Sequence, residues 1–111
     1  MKEALFVIVH EHCITIDMAD HAAGKDPGLT RPEDYPSVSQ ELARIKGEEV
    51  FREVTGDPYK VPYTIPEGTR QIWVCGAYEL VCVQVHVDTL QLACKGIAVG
   101  IHKPGTISFS V

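Results

Sequence analysis

No part of this chain is apolar for anything near the roughly 20 residues that a membrane-spanning helix needs. The N-terminus, Met1-Lys2-Glu3-Ala4-Leu5-Phe6-Val7-Ile8-Val9, has one lysine and a short apolar run. It lacks the longer apolar region and small-residue cleavage site of a secretory leader, so a first strand is expected there. The four cysteines, Cys13, Cys75, Cys82 and Cys94, form no C-x-x-C pair, so neither a zinc ribbon nor a thioredoxin-type motif is indicated. Basic residues are scattered and the formal net charge is −5. A nucleic-acid partner, which needs a clustered basic face, is therefore not expected. Aromatic residues make up 7% and include one tryptophan, too sparse for a base-stacking platform. There is no internal repeat and no low-complexity tract.

What is present suits one globular domain. The chain has 111 residues, enough for a real core and too few for two ordinary domains. Hydrophobic residues are 45% and charged residues 23%, an ordinary globular balance. Without a secretion signal the expected compartment is the reducing cytoplasm, with free thiols. Most of the four cysteines are expected to be buried small hydrophobes, Cys82 being the exception worth testing.

Leu5 to Val9 is an unbroken apolar run, the mark of a strand covered on both faces. Polar residues enter at His10-Glu11-His12-Cys13, where the strand either ends at a cleft or continues with one wet face. Ala22 to Pro36 reads as loop, with Gly24, Pro27, Gly28, Pro32 and Pro36 among charged residues. Ser37 or Ser39 can cap a following helix near Ser39–Val54, whose stripe is Leu42, Ile45, Val50, Phe51 and Val54, with Gly56 as its stop. Asp57 to Gly68 holds three prolines and reads as extended and irregular. Ile72 to Cys75 and Ile97 to Ile101 read as strands. The Pro104-Gly105 turn leads to a last strand, Thr106 to Val111.

Residues 80–88 carry two periods. Val83, Val85 and Val87 alternate with polar residues as in a strand, yet Cys82, Val85, Thr89 and Leu92 line one helical face, and Lys95-Gly96 offers a stop. The helix over Glu79–Lys95 is favoured, because a two-sided apolar strand at 97–101 wants helical cover. The expected fold is α/β, a single three-layer domain over residues 1–111 with a mostly parallel sheet flanked by helices. The alternative is α+β, with a C-terminal antiparallel meander. Open sheet edges make a homo-oligomer the expected assembly.

The most informative stretch is Ile72-Trp73-Val74-Cys75-Gly76-Ala77-Tyr78-Glu79-Leu80-Val81-Cys82-Val83. It reads as a strand, a tight glycine turn and a cysteine at the start of a helix, where backbone N–H groups favour a thiolate. It resembles the nucleophile motif of the isochorismatase-like cysteine hydrolases, which include nicotinamidases. In that family the nucleophile follows six residues after the glycine, usually before valine, as Cys82 and Val83 follow Gly76. Ile16-Asp17-Met18 with Asp20, and Pro27-Gly28 further on, is similar to the family's first-strand signature.

By this resemblance Cys82 is the nucleophile, Asp17 the general acid/base, and Lys46 or Lys60 the charge partner. Gly76, Tyr78 and Val81 would line the substrate side, with backbone N–H groups around Val81 and Cys82 as the oxyanion site. The substrate would be a small amide or related molecule, and no cofactor is implied. The chain is much shorter than a usual member. If Leu5–Val9 is the true first strand, no aspartate occupies the catalytic position. A catalytically inactive binding module of the same fold, for a small ligand or a protein, is therefore the alternative. A second is a metal site using His10, His12 and Cys13 with Cys82 and His86, since imidazole and thiolate are ordinary ligands.

Overall fold

The computed structural model describes residues 3–25 and 30–109. Strand β1 (Ala4–Val9) is followed by helix α1 (Glu11–Ala22), a 3-10 turn (Pro32–Asp34) and helix α2 (Tyr35–Glu48). Strand β2 (Phe51–Val54), strand β3 (Gln71–Ala77), a π-turn (Glu79–Val83), helix α3 (Gln84–Ala93) and strand β4 (Ala98–Ile107) complete the order. The sheet runs β2-β1-β3-β4, and every pairing in it is parallel. This is the expected α/β class, with no C-terminal antiparallel meander.

Period-two alternation splits β1 between two cores. Phe6 and Ile8 face α1 and α2, where they meet Ile14, Val38, Leu42 and Ile45. Leu5, Val7 and Val9 face α3, where they meet Val83, Val87 and Leu90. The spacing of Tyr35, Val38, Leu42 and Ile45 gives α2 one apolar stripe. Helix α3 does the same with Val87 and Leu90, and adds a fully buried His86. Helices on both faces explain why β1 reads as apolar throughout.

Four local expectations are corrected. The helix expected over Ser39–Val54 begins at Tyr35 and ends at Glu48. Its supposed last turn is β2, because Phe51 to Val54 find parallel partners in Phe6 to Val9. The segment after His10 is helix α1, not an extension of the strand. The Pro104-Gly105 turn does not reverse the chain. Instead β4 stays parallel to β3 through a bulge, in which Cys75 alone faces His102, Lys103, Pro104 and Gly105. Thr106 and Ile107 thus continue β4, and Ser110 and Val111 lie outside the described residues. The alternation at 83–88 belongs to the π-turn and α3.

The bulge is tied to α2. His102 Nε2 donates to Glu41 Oε2 at 2.5 Å, and Arg44 grips the same carboxylate at 2.7 and 2.8 Å. The Arg44 guanidinium first, and His102 after it, hold the Glu41 carboxyl down from the ordinary 4.5 to about 2, against an opposing push from burial. Its native affinity for protons is below its unfolded one, so this contribution is complete above pH 4.5 and drains away as pH falls toward 2. Glu41→Gln is expected to cost about 1–2 kcal/mol at pH 7, since the arginine is partly solvated. Urea titrations at pH 7 and pH 3 check this. A variant equal to the parent at pH 7 would remove the clamp.

The free edge of β2 is short and has charges at its centre. Arg52 turns over it, donating to the carbonyls of Phe51 (2.9 Å) and Thr64 (3.1 Å). Such an edge discourages strand addition. Among the described residues no helix is long and apolar enough to cross a membrane.

Candidate functional site

Helices α1 and α2 connect β1 to β2 on one face, while residues 55–70 and α3 lie toward the other. The connections therefore part at the carboxyl ends of β1 and β3. In parallel sheets this is where ligands bind. The chain is tightly drawn there. Gly76 stands opposite Val9 with φ of 111°, and the Ala77–Tyr78 peptide is cis.

The Tyr78 carbonyl accepts the N–H groups of Val81 (3.1 Å) and Val83 (3.2 Å). This folds residues 79–83 into one wide turn, bent at Val81 (φ −121°, ψ −107°) before α3 begins. Cys82 lies in that turn, half-buried against the α3-side core. The Val81 N–H is spent on Tyr78, so it is no free oxyanion donor in this conformation.

Asp17 projects from α1 toward the same end of the sheet. Its Oδ2 accepts the phenol of Tyr35 at 3.0 Å and that of Tyr78 through a short hydrogen bond. Tyr35 gives its only proton to Asp17, so the 2.6 Å contact with Thr30 is donated by the threonine. Burial, reinforced by the Asp17 carboxylate, pushes the Tyr78 phenol up, and it stays a donor at neutral pH. The result is a chain Thr30–Tyr35–Asp17–Tyr78 ending at the turn that carries Cys82. Phe109 stacks on Tyr78 with ring centroids 4.9 Å apart, and Ser108 donates to Glu79. The C-terminal end of the described chain is thus folded against the site.

One turn before Asp17, Cys13 packs, as Tyr78 also does, against the α1/α2 core. Its thiol is pushed up by burial, then by the Asp17 carboxylate and by Cys82. Cys75 is different. It is fully buried, its thiol is pushed up to about 12 by burial, and its Sγ faces the Val7 carbonyl at 3.7 Å. Cys75 is a core residue, as its sequence context suggested.

The lysines lie elsewhere. Lys46 closes a 2.8–2.9 Å ion pair with Glu11 and lines a cavity of about 340 Å³ with His12, Thr15, Glu53 and Thr55. Lys60 lines a second cavity of about 250 Å³, beside Asp57 and Pro62, sharing Glu53 to Thr55 with the first. Both cavities open at the β2 end. Among the described residues no hydrogen bond or ion pair joins either lysine to Asp17 or Cys82. Pro27 and Gly28, part of the first-strand likeness, lie outside the described residues.

His10 and His86 are engaged structurally. His10 ends β1 in the left-handed region (φ 52°, ψ 47°), and its Nε2 donates to the Gly56 carbonyl at 2.7 Å. His86 Nδ1 meets the Pro58 carbonyl at 2.8 Å, which makes it the protonated nitrogen. Its Nε2 therefore accepts the Tyr63 hydroxyl, at 2.6 Å. Among the described residues no three His, Cys, Asp or Glu side chains are placed to hold a metal ion.

No family model, curated protein or solved structure matches this chain. Sequence reading marked Gly76, Tyr78, Cys82 and Asp17, and all four stand at the β1/β3 end. It took Cys13 as a core thiol or a metal ligand and gave Tyr35 no role. Neither has a local signal, because each acquires its partners only through the packing of α1 and α2 on the sheet.

Proposed function

We propose that the carboxyl end of β1 and β3 is a small-molecule site of the cysteine-hydrolase type, acting on a small amide or related carbonyl compound. Cys82 is the nucleophile. Asp17 carries the proton to the leaving group, positioned by the phenols of Tyr35 and Tyr78. The observation that carries this reading is the Asp17–Tyr78 hydrogen bond, which ties the carboxylate of α1 to the turn holding the sulfur. The Gly76-to-Cys82 spacing supports it. Attack by a thiolate, protonation of the amine and release of the acyl group by water are the steps these residues can serve.

A non-catalytic binding module is the second reading, and two observations favour it. Leu5–Val9 lies in β1, so Asp17 stands on helix α1 and not at that strand's end. The Lys46 ammonium is bound to Glu11, and both lysines sit on the β2 side. A thiolate at Cys82 then lacks either of these two lysines to hold its charge. The homo-oligomer expected from open sheet edges would, on either reading, use β4, because β2 presents Arg52 and Glu53.

Ammonia release from a panel of small primary amides separates the two. Cys82→Ser is expected to reduce turnover at least about a thousandfold. Asp17→Asn should reduce it by about 10²–10⁴. Wild-type protein releasing no more ammonia than the Cys82→Ser variant would leave only the binding module.

A further inference from the structure

The two cavities at the β2 end lie outside the Cys82 turn, and neither reading above gives them a ligand. They share one wall, Glu53, Val54 and Thr55, so they adjoin across the carboxyl end of β2. The larger, at about 340 Å³, reaches the size at which small-molecule sites begin, roughly 300 Å³.

Charge is distributed unevenly between them. In the larger cavity Lys46 and Glu11 neutralise each other across 2.8 Å. What remains there is the hydrogen-bonding capacity of His12, Thr15 and Thr55, with an aliphatic side supplied by Ile8 and Val54. In the smaller cavity the Asp57 carboxylate accepts the Tyr59 N–H at 2.8 Å. Glu53 and Lys60 complete its charged lining. Among the described residues no hydrogen bond or ion pair engages the Glu53 carboxylate or the Lys60 ammonium, and the two do not pair with each other.

This pattern selects among ligands by charge. The cavities hold the carboxylates of Glu11, Glu53 and Asp57 against the ammonium groups of Lys46 and Lys60. A phosphate or dicarboxylate would meet more negative charge than positive. A simple amine would leave Lys60 unanswered. A molecule bearing one charge of each sign satisfies both open groups, and two charge-assisted contacts of opposite sign fix its direction.

We propose that the paired cavities bind a free α-amino acid with an uncharged polar side chain. Its ammonium meets Glu53 and its carboxylate meets Lys60, in the smaller cavity. Its side chain passes Thr55 into the larger one, where His12 and Thr15 offer hydrogen bonds and the Glu11–Lys46 pair leaves no net charge. The inference does not depend on amide cleavage at Cys82.

NMR titration of the unaltered protein with L-threonine, which has no amide for Cys82 to cleave, tests it. Saturable backbone amide shifts are expected at Thr55, Gly56, Asp57 and Lys60, with a Kd of about 1 mM or below. β-Hydroxybutyrate lacks the ammonium of threonine, and isopropanolamine lacks its carboxylate. Each should bind at least about tenfold more weakly. Glu53→Gln and Lys60→Gln should each weaken threonine binding about tenfold. Both side chains are exposed, so the substitutions leave the core intact. Shifts confined to residues 78–83 would put the ligand at the Cys82 turn and overturn the assignment. So would an absence of shifts at about ten times the expected Kd. Equal affinity for either comparison compound, or unchanged affinity in both variants, would overturn it as well.

Discussion

Gly76→Ala is expected to abolish the native sheet, with a loss of more than about 4 kcal/mol against a whole stability of about 5–15 kcal/mol for such a domain. An added Cβ would stand 2.1 Å from the Val9 carbonyl oxygen, 2.8 Å from its nitrogen and 2.9 Å from its carbonyl carbon. None of these is the end of a flexible side chain. All belong to the backbone of β1, the strand held by β2 on one side and β3 on the other. The φ of 111° adds a second cost for any side chain. Relief requires β1 and β3 to part where the Cys82 turn begins, so the site would be lost with the register. Gly47→Ala in α2 is the control. Nothing lies within 4 Å of its Cβ, and a gain of about 0.5–1 kcal/mol is expected. Urea denaturation followed by circular dichroism reads both. A Gly76→Ala protein within about 1 kcal/mol of the parent would refute the close approach.

The second large effect concerns His86. Its replacement by alanine leaves the Pro58 carbonyl and the Tyr63 hydroxyl without their partner and opens space under α3. A loss of about 2–4 kcal/mol is expected. The loss should be concentrated in residues 57–65, which the imidazole pins to α3, and amide exchange there should accelerate before the rest of the chain. The same residue sets a pH dependence. Burial is the main cause that lowers the native affinity of His86 for a proton below the ordinary 6.5. The unfolded chain then binds a proton that the native chain refuses, so stability declines as pH falls below 6.5 and is complete above it. In His86→Ala that decline should flatten. A decline of unchanged depth in the variant would assign it to other groups.

Much of this architecture can be read from the residues alone. Leu5 to Val9 admits only a strand buried on both faces, and Gly76 with Cys82 six residues later marks a strand–turn–helix junction. Phe51 to Val54 is legible only in part. Their apolar spacing continues the α2 stripe, and no proline or glycine separates them from Glu48. What converts them to strand is pairing with β1, a partner more than 40 residues away. The helix beginning at Glu11 is hidden for a related reason. It buries little besides Ile14 and leaves Ile16 and Met18 largely exposed, so it has no strong stripe to announce it. The carboxylate of Asp17 could be singled out, but its two phenol partners could not. Tyr35 and Tyr78 are distant from it in sequence and meet it only when α1 and α2 pack on one face. The separation of the lysines from the sulfur is likewise a property of the sheet order, which places β2 and β3 on opposite sides of β1.

That order also has a kinetic consequence. The first strand is the hub of the sheet, yet its neighbours are supplied by residues 51–54 and 71–77. Among the described residues no hairpin exists to form early, and every ladder must close a large loop before it gains anything. During synthesis this apolar strand emerges ahead of both its partners, one edge bare until residues 51–54 have followed and the other until residues 71–77 have. Leu5 to Val9 is therefore the segment that a chaperone would be expected to shield, and the one from which misassembly would begin.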